Sequence, residues 1–220
     1  MQKWFHAASI TPLLLLAACG GGQAASDSTS SSASKSQNTK VVQQDQSSGS
    51  RTKGSQKFVK VQTFTFKDDG TIPNNPYFQV LIYPGAFKGR TDQIVNTFKK
   101  NNWGNNWVDG VFPYHHFHST SHEVLGVISG EATLRLGGEQ GKDFKVKAGD
   151  VVVLPAGTGH KRLSASNDFS IAGGYPDGRD YDLQTKESPQ YKENISKVGK
   201  AKQDPVYGEQ GPLLSIWKKR

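Results

Sequence analysis

One cysteine, one methionine and six histidines stand in a chain of 220 residues. With Cys19 alone, no intrachain disulfide can form, so no cross-link supports the fold. Long apolar runs are missing as well. The one candidate, Ala7 to Ala18, is too short to span a bilayer as a stable helix. No self-similarity recurs at a solenoid period. Concentrated positive charge is also absent. The chain carries +8, but residues 58–220 hold 21 Lys and Arg against 17 Asp and Glu, a net +4. These are dispersed apart from pairs such as Lys99–Lys100 and Lys161–Arg162 and a terminal KKR. Without a basic stripe or basic helix, nucleic acid is not an expected partner. Scattered histidines are lacking too. Apart from His6, every histidine falls in one of two short stretches, "YHHFHSTSHE" (114–123) and "PAGTGHKRL" (155–163).

The N-terminus has a short basic head with Lys3, then the apolar run, then small residues, which reads as a secretory signal over residues 1–18. "LAAC", Leu16 to Cys19, resembles the lipobox of bacterial lipoproteins, in which cleavage precedes the cysteine and a lipid is attached to it. The resemblance implies a membrane partner through lipid on Cys19. Gly20 stands where an aspartate would imply inner-membrane retention, so the expected address is the cell envelope, at the outer membrane if the cell has two. From Gly20 to Lys57 the composition is mostly Gly, Ser, Gln, Thr, Asn and Lys, with Val41 and Val42 the large aliphatics. Such a segment cannot bury enough apolar surface to offset chain entropy. We expect residues 19–57 to be a disordered tether with an r.m.s. reach of about 35 Å, followed by one folded domain, 58–220.

That domain is patterned as an all-β fold. "FVKVQTFTF" (58–66), "YFQVLIYP" (77–84), "HEVLGVIS", "EATLRLGG", "DFKVKAGD", "VVVLP" and "DFSIAGGY" are short and bounded by Gly, Pro, Asn and Asp. Many short strands with glycine-rich turns argue for an antiparallel sandwich or barrel. Two segments depart from it. "TDQIVNTFKKNNW" places Ile94, Val95 and Phe98 on one helical face, with Thr91 or Asp92 as cap. "SPQYKENISKVGKA" offers Ser188 as N-cap, Pro189 at the first helical position and Gly199 near the stop.

Strand alternation sends Gly110, Phe112, Tyr114, His116 and His118 to one face, and His115 and Phe117 to the other. Glu123 shares a face with Leu125 and Val127 on the expected hairpin partner, with His122 opposite. Two histidines two apart and a carboxylate can then converge inside a barrel. His160, placed by "PAGTG" at the start of a strand, can enter the same interior.

These residues resemble the cupin superfamily. Its first motif, G-x5-H-x-H-x4-E-x6-G, is matched at every position by Gly110, His116, His118, Glu123 and Gly130. Its second, G-x5-P-x-G-x2-H-x3-N, is matched by Gly149, Pro155, Gly157 and His160, with Ser164 in place of the final Asn. The longer runs "WGNNWVDGVFPYHHFHSTSHEVLGVISG", "AGGYPDG" and "DPVYGEQGPL" are similar to a group of small single-domain bacterial cupins of unassigned activity. The resemblance implies an antiparallel jelly-roll barrel, with one helix before the first motif and a short C-terminal helix. It also implies a metal held by His116, His118, Glu123 and His160.

Three imidazoles and a carboxylate suit a divalent Fe, Mn, Ni, Zn, Co or Cu and leave coordination positions free for water or substrate. Phe112, Tyr114, Leu125 and Arg162 are candidate pocket residues. Trp103 and Trp107 either cap the barrel mouth or pack the helix end onto a sheet. His115 and His122 are expected to point away from the interior. A bulge at "STS" would instead make His122 a hydrogen-bonding partner of a ligand, or an alternative ligand itself. The only other proton-handling group on the ligand face is Tyr114, which favours a redox reaction with Fe or Mn over acid–base chemistry. The expectation is thus a metal-dependent oxygenase or isomerase acting on a small molecule. The alternative is a non-catalytic protein that captures a small ligand or a metal. A homodimer is open by analogy, with strand 58–66 paired between subunits.

Overall fold

A computed structural model describes residues 57–218. The expectations for the signal, Cys19 and the tether up to residue 56 lie outside these residues. Nine strands follow one another: β1 (Gln62–Phe64), β2 (Val80–Tyr83), β3 (Trp103–Asp109), β4 (Glu123–Ser129), β5 (Glu131–Leu136), β6 (Lys142–Lys147), β7 (Val151–Leu154), β8 (His160–Ala165) and β9 (Ser170–Pro176). Helix α1 (Ile94–Lys100) precedes β3, and α2 (Pro189–Lys197) and α3 (Pro212–Ile216) follow β9. Every strand pairing is antiparallel. One sheet runs β1-β2-β7-β4-β9-β3 and the other β6-β5-β8, the two-sheet arrangement expected of a jelly roll. Strand β1 pairs with β2 of its own chain, Thr63 opposite Leu81. Among the described residues no helix is long and apolar enough to cross a membrane.

Two apolar layers explain the sequence patterns. Between the sheets, Val80, Ile82, Leu125, Val127, Val152 and Leu154 meet Leu134, Leu136, Phe144 and Val146. On the outer side of the large sheet, Leu81, Tyr83, Val124, Val151 and Val153 pack beneath Phe87, Ile94, Phe98, Leu213 and Trp217. Because α1 and the C-terminal segment cover that side, β7 is buried on both faces and reads VVVL without alternation. Strands β5 and β6 of the small sheet, wet on one side, alternate instead: in β5, Ala132, Leu134 and Leu136 point inward. Each fully buried aliphatic side chain contributes about 1.5–3 kcal/mol. Gly126 is where α1 touches the sheet. A Cβ there would lie 2.6 Å from Ile94 Cγ2 and 2.8 Å from the Phe98 ring.

The helix ends differ. Ser188 caps α2 as expected, its Oγ accepting the Tyr191 N–H at 3.2 Å, with Pro189 at the first position. Neither Thr91 nor Asp92 caps α1. A 3₁₀ turn over Thr91–Gln93 leads into it, and Gln93 stands at the cap with no side-chain bond. Helix α3 is additional to the two expected helices. It carries Trp217 onto the outer core, where the indole donates to Gln79 O at 2.9 Å.

Strand β3 holds a one-residue bulge. Gly104 is opposite Tyr175 and Trp107 opposite Gly173, so three steps on β3 face two on β9. Asn105, at φ 50°, sits within it. An extra residue reverses side-chain parity. Trp103 and Trp107, four apart, therefore lie on opposite faces: Trp103 in the outer core, donating to Gln203 O, and Trp107 facing the barrel interior over the bare Cα of Gly173.

Candidate metal centre

The segment 110–118 is not a regular strand. Its backbone is held by isolated bridges, His116 with His160 of β8 and Phe117 with Gln184 in the segment after β9. Four hydrogen bonds make them: His116 and His160 exchange N–H···O bonds at 3.2 and 3.0 Å, and Phe117 and Gln184 at 2.9 Å each. The alternation at its end still holds. Phe117 is fully buried, its ring against Tyr191, and this pins His116 and His118 to the opposite side. Glu123 opens β4 opposite Leu154 of β7, so it does not lie on a hairpin partner of the histidine segment, as the sequence had suggested. His160 opens β8 as expected.

The structure gathers the three histidines into one buried cluster, with a ligand nitrogen from each lying within 4.8 Å of the others. The rings of His116 and His160 are 4.0 Å apart. Each imidazole turns Nδ1 to a backbone carbonyl: His116 to Tyr114 at 3.4 Å, His160 to Thr158 at 3.1 Å, and His118 to Asp182. A carbonyl only accepts, so the proton sits on Nδ1 and Nε2 carries the lone pair, the tautomer that metal ligation requires.

Glu123 Oε2 lies 3.4 Å from His118 Nε2 and 3.2 Å from His160 Nε2 and receives no hydrogen bond, although it is buried. Its other oxygen accepts the Tyr175 hydroxyl at 2.8 Å, and that hydroxyl accepts the Trp107 indole N–H at 3.0 Å. A buried anionic oxygen facing imidazole lone pairs is repulsive until a positive charge occupies the point between them. The protonation balance says the same. Burial depresses His118, but the Glu123 charge outweighs this and raises the imidazole above 6.5. Burial would raise Glu123, yet His118 and His160 hold it well below 4.5. His116, pushed down to about 2 by burial and by His160, stays neutral. The residues present therefore fit a divalent cation by donor type, tautomer and charge.

Above the cluster opens a cavity of about 510 Å³. Phe112, Leu125 and Arg162 line it, together with Trp107, Tyr181 and Leu183. Tyr114 does not. Its ring stacks on Phe112, 5.0 Å away at 15°, stands 6.0 Å from the His116 ring, and is half-exposed. His115 points away from the cavity toward Glu139, 3.7 Å distant. His122 also turns away, but into protein. It is 1% exposed, its Nδ1 accepting the Ala156 N–H and its Nε2 donating to Gly199 O, both at 2.9 Å. It packs on Phe78 and Trp217 and touches none of the clustered residues through these bonds.

Two participants were not singled out in the sequence. Tyr175 shares its face of β9 with Ile171 and Gly173, so period two would have found it had the paired glycines not interrupted the pattern. Asp182 lies in an irregular segment with no periodic signal. Its carboxylate accepts from the N–H and hydroxyl of both Ser119 and Thr120, and its carbonyl orients His118.

Parts of the chain are similar to known proteins. A family described as Cupin domain matches residues 107–168. The uncharacterized protein YjlB of Bacillus subtilis (strain 168) is 44% identical over 165 residues, 73% of this chain and 98% of that protein. Among solved structures, the acireductone dioxygenase from Bacillus anthracis, with a cadmium ion in its active centre, is 18% identical. It covers 41% of this chain and 61% of its own, with a TM-score of 0.31. A mutant of Bacillus subtilis oxalate decarboxylase OxdC is 20% identical, covering 49% of this chain and 27% of its own at a TM-score of 0.32. The chain thus spans nearly all of the curated relative but less than two thirds of either solved structure.

Proposed function

The chain belongs to the cupin family, and from that premise we propose that it is a metal-dependent enzyme acting on a small molecule, of oxygenase or isomerase type. One divalent transition metal would be held by His116, His118, His160 and Glu123. The observation that carries this reading is the convergence of three imidazoles, each with Nδ1 committed to a carbonyl, beside a buried carboxylate oxygen that receives no hydrogen bond. A metal there would supply Lewis acidity, and redox capacity if it is Fe or Mn.

The chain's own groups contribute positioning. Tyr175 holds Glu123 by one oxygen and leaves the other aimed at the cluster. Burial and the Glu123 charge push the Tyr175 phenol far up, so it stays a donor and is no base at neutral pH. Trp107, Leu125 and Leu183 give the cavity apolar walls. With Glu123 committed to the cluster and Tyr175 to Glu123, the cavity's inner end has no free protein base. That favours Fe or Mn redox chemistry over proton abstraction.

The test is the metal content of the purified full chain, by plasma mass spectrometry, beside a His116→Ala/His118→Ala variant. Near-stoichiometric Fe or Mn lost in the variant supports the reading and makes O₂ consumption the next assay. Stoichiometric Zn, Ni or Cu shifts it to isomerisation or to ligand and metal capture. No metal in either, even after reconstitution, overturns it. We also propose that Cys19 is lipidated and tethers the cupin domain to a membrane, supported by the sequence at 16–19. Labelled fatty acid should enter the parent and not Cys19→Ala.

A further inference from the structure

Arg162 has a position unlike that of any other arginine described. Arg135 is paired with Asp143 and Glu139, Arg179 with Asp177, and Arg90 donates to Ala86 O and lies over the Phe87 ring. Arg162 lines the cavity, and among the described residues its guanidinium has no ion pair or hydrogen bond. Its backbone N–H donates to Phe112 O at 2.9 Å, which fixes the strand beside that ring. It follows His160 by two residues on β8, so both side chains leave the same face, with Cα atoms roughly 6.5 Å apart. The cavity's one further carboxylate outside the cluster, Asp109, is exposed, and its Oδ1 is taken by the Gly110 N–H at 2.7 Å. A guanidinium left unpaired beside apolar walls holds a place for an anion, and its fork matches a carboxylate.

The walls specify the rest of the ligand. Of the eight exposed large hydrophobic residues among those described, four line this one cavity: Val108, Phe112, Tyr181 and Leu183. Apolar exposure concentrated at a cavity mouth marks a binding site. Two aromatic rings stand edge-on to the clustered histidines, Phe112 to His116 at 5.1 Å and Tyr181 to His118 at 4.8 Å. Each is braced by a stacked partner, Phe112 by Tyr114 and Tyr181 by Tyr175 at 4.1 Å and 18°. These braced rings suit a flat body. A polyol would need an array of donors and acceptors, and outside the cluster and the tyrosine hydroxyls the side chains supply only Asp109 and Arg162 with free polar capacity.

We infer that this cavity takes an organic acid with a flat, apolar body, its carboxylate lying between the histidine cluster and the Arg162 guanidinium and its ring against Phe112 and Tyr181. The inference names the substrate class of the site proposed above and rests on the metal reading only at the carboxylate's inner end. It is an ionic contact combined with apolar burial, so charge and flatness can be tested separately.

The experiment is calorimetric titration of the full chain with benzoate, benzamide and acetate, before and after Mn(II) loading, with metal content measured on every sample. Benzoate should bind, with benzamide and acetate each at least about tenfold weaker. In Arg162→Met, benzoate should weaken by about tenfold or more while Mn content is unchanged. Arg162→Lys, which keeps charge and loses the fork, should fall between, and it serves if the methionine variant does not fold. Equal binding of benzamide or acetate, or no loss in both variants, overturns the inference. If the parent retains Mn and benzoate does not bind, the inference falls and the metal reading stands. If no metal is retained, even after reconstitution, but benzoate binding still depends on Arg162, the metal reading falls and the inference stands. If neither binds, both fall.

Discussion

The Tyr175 hydroxyl donates to Glu123 Oε1 at 2.8 Å while it accepts from Trp107 Nε1 at 3.0 Å. A hydroxyl has one proton, so accepting from the indole leaves that proton for the carboxylate and fixes its direction. Removing the hydroxyl leaves a buried carboxylate oxygen and an indole N–H without partners. Tyr175→Phe should therefore lower metal affinity by about 10–100-fold and stability by about 1–3 kcal/mol. Competition against a chelator reads the first, and urea unfolding of the metal-free protein reads the second. Unchanged affinity would show that Glu123 is oriented by its strand alone.

His122 gives the opposite outcome. Both ring nitrogens are bonded and the ring packs on Phe78 and Trp217, so its work is structural. His122→Ala should destabilise the fold by about 2–4 kcal/mol through the cavity and the orphaned groups. The folded variant should retain its metal. His118→Ala should lose the metal. Melting curves beside metal content separate the two, and a His122 variant that folds but holds no metal would move this residue into the site.

Metal binding should release a proton from His118. In the metal-free cluster its imidazole is held above 6.5 by Glu123 against the effect of burial, and a cation must displace that proton. Affinity should rise with pH, about tenfold per unit, until pH passes the raised His118 value, and then level off. Without metal the same proton stabilises the fold. That contribution is complete below pH 6.5 and is lost as pH rises through the folded value. Chelator competition across pH 5.5–9 measures the slope, in a range roughly spanning imidazole titration. A flat profile would mean that the metal enters without displacing this proton.

Where side-chain direction follows from local parity, the sequence was legible. His116 and His118 flank Phe117, a ring that must be buried, and Arg162 keeps phase with His160 along β8. These placements needed no long-range information. Parity failed where the backbone departed from a strand. Tyr114 precedes the first bridge and stacks on Phe112 without lining the cavity, and the bulge at Asn105 separates Trp103 from Trp107 with only an Asn-Asn pair to signal it. The seat of His122 depends on Gly199 and Trp217, which lie 77 and 95 residues further along the chain and are brought to it by tertiary packing. No local pattern encodes that. Asp182 belongs to the same class, because its partners are set by chain closure across β9.

Asp182 joins the cavity wall to the histidine cluster, which makes it the residue whose loss should be felt at both. Its carboxylate accepts four bonds from Ser119 and Thr120 and one from Gln184, and its neighbours Tyr181 and Leu183 line the cavity. Burial acts to raise this carboxyl, but the bonds from Ser119 and Thr120 outweigh it and bring it below 3.8. The stabilisation is therefore present above pH 3.8 and is lost as pH falls through the lower folded value. In Asp182→Ala the donors of Ser119 and Thr120 turn to water and residues 180–184 lose their tie. Amide exchange there should quicken by about tenfold or more, while the buried β7 amides keep their protection. Metal affinity should also weaken, because the carbonyl that orients His118 moves with the segment. If exchange quickens and affinity does not change, the His118 tautomer is set without Asp182, and the wall and the cluster are independent.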